Sequence, residues 1–199
     1  MRLPLFPLGT VLFPGGVLPL RIFETRYLDM VRECMSSDRP FGVCLITQGG
    51  EVGTPAEHHP VGCMARIVDF DMEPGGVLRL RTVGSGRFEV IDRFAQPDGL
   101  LRGTVREIAA DPATPIPDSL ASCAALMRRV IADVCRRETD PAQRVLSEPF
   151  LPDDAGWVAN RLCELLPLPP ATRQQMMALE DPLDRLKRVA GFLAAGGSD

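Results

Sequence analysis

The chain has 199 residues, 45% of them hydrophobic, with 22 basic and 26 acidic side chains and a net charge of −4. That composition supports a real core and excludes the broad Lys/Arg excess on which nonspecific nucleic-acid binding rests. No apolar run approaches the ~20 residues of a membrane span, and Pro4, Pro7, Pro14 and Pro19 with Gly9, Gly15 and Gly16 break the N-terminus before it can form a signal helix. The expected compartment is therefore the cytoplasm, with no membrane partner.

Residues 1–110 read as a β-rich lobe. Candidate strands lie at Leu3–Phe6, Val17–Ile22, Phe41–Thr47, Val61–Asp71, Val77–Val83, Arg87–Phe94 and Leu101–Ile108, separated by Gly, Pro and Asp clusters. One helix interrupts them at about 24–36. There Tyr27, Leu28, Val31, Cys34 and Met35 recur at helical spacing, with Glu24 in the positive first turn. Gly84-Ser85-Gly86 reads as a hairpin turn, and so departs from the nucleophile elbow of a hydrolase.

Side-chain parity fixes one hairpin. A two-residue Gly75-Gly76 turn would set Asp71 opposite Leu80, mixing charge and hydrocarbon on both faces. A three-residue loop, Pro74-Gly75-Gly76, instead sets Asp71 opposite Arg79 and Asp69 opposite Arg81. Leu78, Leu80, Phe70 and Met72 then share the face expected to be buried.

Residues 111–117, Asp-Pro-Ala-Thr-Pro-Ile-Pro, read as a stiff linker, and residues 118–199 as a helical lobe. Asp118 is the expected N-cap of a helix striped with Leu120, Cys123, Met127, Val130, Ile131 and Val134. Asp140-Pro141 and Asp181-Pro182 mark two further helix starts. Between them, a helix from Asp153 to about Leu166 carries Trp157, and Pro170–Glu180 carries Met176 and Met177. The last helix stops at Gly196-Gly197. Strands followed by helices make an α+β protein.

Chemistry-bearing residues are sparse. Cys34, Cys44, Cys63, Cys123, Cys135 and Cys163 form no C-x-x-C and read as buried free thiols in a reducing compartment. Asp69, Asp71 and Glu73, opposite Arg79 and Arg81, read as a salt-bridged face, so no metal is assigned. His58 and His59, the only histidines, read as exposed loop residues and not as partners of Ser85. The one lysine, Lys187, lies in no G-x-x-x-x-G-K-[ST] loop, which excludes phosphate cradling of the P-loop kind. No catalytic residue and no cofactor is expected. The candidate binding surface is apolar: Leu12, Phe13 and Pro14 at a turn, Met176 and Met177 in a short helix, and Trp157 as an anchor. The competing role for these residues is to seal the two lobes.

The opening Leu3-Pro-Leu-Phe-Pro-Leu8, the turn Phe13-Pro-Gly15 and Leu20-Arg-Ile-Phe-Glu-Thr-Arg-Tyr27 resemble the start of the Lon protease N-terminal domain family. Val61-Gly62-Cys63-Met64-Ala65-Arg66-Ile67 and Val83-Gly84-Ser85-Gly86-Arg87-Phe88 resemble its Gly-x-x-Ala-x-Ile strand and Gly-x-x-Arg-Phe hairpin. Trp157 through Leu186 resembles its helical tail. The resemblance implies a PUA-like β-barrel or pseudo-barrel followed by a helical bundle, acting as a protein- or peptide-recognition module. It brings no catalytic residues. Since the resemblance stops short of an ATPase or a Ser-Lys protease, a free-standing member is expected, with unfolded or partner polypeptides, including a separate protease, as its partners. The alternative is an RNA-binding barrel reading through an Arg stripe of Arg79, Arg81, Arg87, Arg93, Arg102 and Arg106, which the acidic balance disfavours.

Overall fold

In the computed structural model, which describes residues 1–196, the chain divides into two units, Met1–Ala109 and the part from Ala110 onward. The first holds strands β1 (Arg2–Leu8), β2 (Val17–Ile22), β3 (Phe41–Gln48), β4 (Glu57–His58), β5 (Val61–Met72), β6 (Leu78–Ala95) and β7 (Leu101–Glu107), with helix α1 (Thr25–Ser37) between β2 and β3. The sheet order is β1-β7-β6-β5-β3-β4, with β2 added on β6. β1 also pairs with β3, in parallel, so the path through β7, β6, β5 and β3 returns to β1. All other pairings are antiparallel.

Alternation along the strands builds the core. Phe6, Leu20, Ile22, Phe41, Val43 and Leu80 pack with Tyr27, Met30, Val31 and Cys34 of α1, while Leu3, Leu5, Cys44, Phe88 and Val105 form a second cluster. The stripe of α1 thus faces the sheet, except that Met35, at its last turn, is 42% exposed.

Gly84-Ser85-Gly86 is not a hairpin turn. The two expected strands on either side of it are one 18-residue strand, β6. Ser85 is the extra residue of a bulge, since Met64 pairs with Gly86 and Ala65 with Gly84. The reason lies in the Phe13–Gly16 turn, closed by the Gly16 N–H donating to the Phe13 carbonyl at 2.9 Å, with Gly15 at φ 74°. This turn seats on β6: the Gly15 N–H donates to the Gly84 carbonyl at 2.7 Å, and the Gly84 N–H to the Gly16 carbonyl at 2.9 Å. A β-carbon on residue 84 would meet the Phe13 carbonyl oxygen at 2.1 Å.

The β5–β6 hairpin has the expected register, with Asp71 opposite Arg79, Asp69 opposite Arg81, Phe70 opposite Leu80 and Met72 opposite Leu78. Two details differ. Arg79 lies 3.8 Å from Glu73, which also accepts from Arg21 at 2.8 Å. Phe70 and Met72 share the face of the buried Leu78 and Leu80, yet are 54% and 59% exposed. They stand where β5 runs past its pairing with β3.

The second unit contains α2 (Ala121–Arg137), α3 (Ala155–Leu165), α4 (Pro170–Ala178) and α5 (Pro182–Gly196). Gly197, expected to help stop the last helix, lies outside the described residues. Asp118 opens a 3-10 turn, Asp118–Leu120, ahead of α2 and makes no side-chain cap. Asp140-Pro141 likewise starts only a 3-10 turn, although Asp140 accepts from the Ala142 N–H at 2.9 Å. Asp154 caps α3 through the Trp157 N–H at 2.7 Å, and Asp181 accepts from the Asp184 N–H at 2.8 Å. The proline-rich stretch is tied to this unit: the Thr114 N–H donates to Asp154 at 2.9 Å and Pro115 bridges to Asp154.

Arg185, only 1% exposed, is the polar centre of the second unit. Its Nε donates to the Met176 carbonyl at 3.0 Å, and its Nη1 to Asp111 at 2.5 Å and Asn160 at 3.1 Å. Its Nη2 donates to the Leu179 carbonyl. One guanidinium therefore satisfies carbonyls at the end of α4 while pairing with the Asp111 carboxylate.

All six cysteines are free, and all except Cys135 are buried. Burial pushes the Cys34 thiol up to about 11 and the Cys44 and Cys163 thiols up to about 12.

Three outcomes follow from these contacts. Gly84→Ala should destabilise the first unit by about 2–3 kcal/mol, because backbone must shift. Gly86→Ala should do much less, since its β-carbon would meet only the flexible end of Met64 at 3.1 Å; chemical denaturation of the two variants checks the difference. Arg185→Met should lower stability by about 3–5 kcal/mol by breaking the buried pair with Asp111 and the bonds to Asn160 and the α4 carbonyls. Helical circular dichroism during denaturation reads this directly. In the unfolded chain thiols ionise from about pH 8.5, whereas the folded protein keeps Cys34, Cys44 and Cys163 protonated to higher pH. The folded state then binds more protons, so stability should fall as pH rises above about 8.5. A midpoint that rises from pH 8 to 10 in Cys44→Ala-corrected denaturation curves would contradict this.

Candidate functional site

Four of the six residues expected to form an apolar binding surface are buried. Leu12 (3% exposed), Phe13 (0%), Met176 (3%) and Met177 (2%) are buried, and Pro14 is half-buried. Their turn lies flat against β6 instead of projecting from the sheet, and the end of α4 is held by Arg185. Trp157 is half-buried, with Phe150 edge-on at 6.4 Å and the Arg161 guanidinium 5.9 Å from its ring centre.

Exposed apolar side chains gather at another place in the first unit. β5 is 12 residues long, but β3 pairs only with Cys63, Met64 and Ala65. Past Ala65, β5 has β6 on one side and, among the described residues, no strand on the other. The end of α1 lies across this gap. Asp38, at φ 50°, ends the helix as the Arg39 N–H donates to the Cys34 carbonyl at 3.0 Å. Arg66 on β5 donates to Asp38 at 2.9 Å.

A cleft of about 220 Å³ remains between them, lined by Cys34, Met35, Asp38 and Arg39 from the helix side and Arg66 through Phe70 from β5. Met35, Val68 and Phe70, each between 42% and 54% exposed, form an apolar rim around it, and Met72, 59% exposed, follows Phe70 on the same face of β5. Cys34, its thiol pushed up by burial, supplies no thiolate near neutral pH. The cleft offers contact area and mixed charge, with no nucleophile–base pair. A smaller opening of about 50 Å³ lies by Phe23 and Val52, beside Tyr27 and Glu24.

Sequence reasoning assigned Met35, Phe70 and Met72 to buried faces by their period. The available signal was length: a 12-residue strand beside one whose pairing starts at Phe41, just after Pro40, must overhang.

The Arg stripe is largely neutralised. Arg79 lies by Glu73, Arg93 pairs with Glu57, Arg102 donates to Glu33 at 2.7 Å, and Arg106 pairs with Glu89. Arg87 is 4% exposed. The Glu33 carboxyl is held below its usual range by its hydrogen bond with Arg102. The Ser85 hydroxyl donates to the Met64 carbonyl at 3.3 Å, while His58 Nδ1 lies 2.8 Å from the His59 carbonyl and burial lowers its pKa. Both histidines are half-buried rather than exposed. Among the described residues, no three His, Cys, Asp or Glu side chains converge as metal ligands, and no helix is long and apolar enough to cross a membrane.

Comparison with known proteins matches this arrangement over its whole length. The fold is similar to the Lon N-terminal domain protein from Xanthomonas campestris, with a TM-score of 0.78 and 34% identity over 96% of this chain and 98% of that one. The N-terminal domain of Mycobacterium avium complex Lon protease shares the fold at a TM-score of 0.64 and 19% identity, over 98% of each chain. Lon protease 2 of Herpetosiphon aurantiacus is 27% identical over 98% of this chain, which covers 24% of that protein. The chain thus spans about a quarter of the length of the Lon proteases it matches. Residues 2–195 match the family model of the ATP-dependent protease La (LON) substrate-binding domain, and the chain belongs to that family.

Proposed function

We propose that this protein is a non-catalytic polypeptide-recognition module that binds exposed apolar segments of unfolded or partner polypeptides. Membership in a substrate-binding domain family supports that reading. The observation that carries it is the rim of Met35, Val68 and Phe70 on the cleft beside β5, continued along the strand by exposed Met72. Exposed Ile91 and Phe94 border neither of the two openings described above, whereas Met35, Val68 and Phe70 bound a concave surface. Methionine and phenylalanine suit varied apolar partners, the first by flexibility and the second by area. A separate protease is a partner in this reading, and the cytoplasm its setting. The closed strand path of the first unit is read as a PUA-like pseudo-barrel, used here as a rigid platform rather than as an RNA surface.

A labelled, permanently unfolded polypeptide titrated against the protein tests this. Phe70→Ser and Met72→Ser should each weaken binding about tenfold or more, the loss of a buried anchor, and Phe94→Ser should leave it unchanged. Binding should persist in high salt. Salt-sensitive binding of single-stranded RNA, with no polypeptide binding, would instead favour the Arg face.

A further inference from the structure

We propose that the open edge of β5 takes its polypeptide as an added β-strand, an extended segment in which apolar residues alternate with Lys or Arg. This rests on the recognition reading above and specifies its ligand. The backbone states the first requirement. Asp69 and Asp71 stand opposite Arg81 and Arg79, and the Glu73 N–H donates to the Val77 carbonyl at 2.8 Å. The Phe70 N–H does not join that ladder: it donates to the Asp69 side chain at 2.9 Å. In antiparallel alternation, Phe70 and Met72 therefore aim their N–H and C=O groups away from β6, toward the unpaired side. An extended chain is the partner that satisfies such a row.

The side chains state the second requirement. Phe70 and Met72 lie on the face of Leu78 and Leu80, so an added strand places every second residue beside the apolar rim. On the opposite face, Asp69 and Asp71 form the acidic column nearest the open edge. Asp71 makes no ion pair among the described residues, and the Arg79 and Arg81 column stands one strand farther away. An added strand lies ~5 Å from the acids and ~10 Å from the arginines, so the acids dominate and favour Lys or Arg on that face. Of the two cations that line the cleft, Arg66 is paired with Asp38, and Arg39 stands on the helix side of the cleft, next to Asp38. A second copy of this chain is disfavoured as the occupant, because two-fold pairing of β5 with itself sets one acidic column beside another.

The test uses a labelled eight-residue peptide alternating Lys with Leu or Val, titrated against the intact protein beside the unfolded polypeptide. N-methylation of one alternate set of its amides should weaken binding at least tenfold, and of the other set at most about twofold. The sensitive set is the apolar residues for antiparallel addition and the Lys residues for parallel addition. Asp71→Lys should weaken the Lys peptide at least tenfold and improve binding of the matching Glu peptide. Equal response to both methylations, or indifference to Asp71→Lys, would overturn strand addition even if the unfolded polypeptide still binds and recognition stands. A dimer broken by Met72→Pro would overturn it in favour of a second copy. Binding of neither probe would remove both readings.

Discussion

A β-carbon at position 84 would lie 2.1 Å from the Phe13 carbonyl oxygen, and its absence lets the Phe13–Gly16 turn seat on the middle of β6. Because that turn is fastened to the strand by two backbone hydrogen bonds, β6 runs on through Ser85. Its first part lies between β5 and β2, and its second part between β5 and β7. One long strand thus joins the N-terminal segment to the last strand of the unit. The same length lets β5 follow β6 well past the end of its pairing with β3, which leaves the overhang and the cleft.

The second unit depends on a different device. A helix leaves carbonyls at its C-terminal end short of donors, and at the end of α4 Arg185 bonds those of Met176 and Leu179 while pairing with Asp111. Its planar fork suits this task, since a lysine ammonium could not reach α3, α4 and the Asp111 segment in one geometry. A buried ion pair of this sort fixes positions more than it adds stability.

The candidate site is built from elements that end early. α1 stops at Asp38 in a left-handed conformation, β3 begins pairing at Phe41, and β5 continues past Ala65 paired, among the described residues, with β6 only. The apolar groups left at that margin are a consequence of strand length, and they have the chemistry a polypeptide-binding surface uses. Arg93, Arg102 and Arg106 are held by Glu57, Glu33 and Glu89 on neighbouring elements.

Local rules made much of the fold legible. Asp69, Asp71, Arg79 and Arg81 fixed the hairpin register because successive side chains of a strand point to opposite faces, and the stripe of α1 followed from helical period. The ordered motifs from Leu3 to Leu186 indicated the family. Period could not say whether a second layer covers a given face, so Phe70 and Met72 were assigned to the core, while for Leu12, Phe13, Met176 and Met177 a binding surface and a buried seal both stayed open. The composition of Gly84-Ser85-Gly86 could not say whether its glycines turn the chain or admit a neighbour. Those answers belong to contacts between residues far apart in sequence, Phe13 with Gly84 and Arg185 with Asp111. Burial and hydrogen bonding there depend on which chain segment arrives, which no local pattern of side chains encodes.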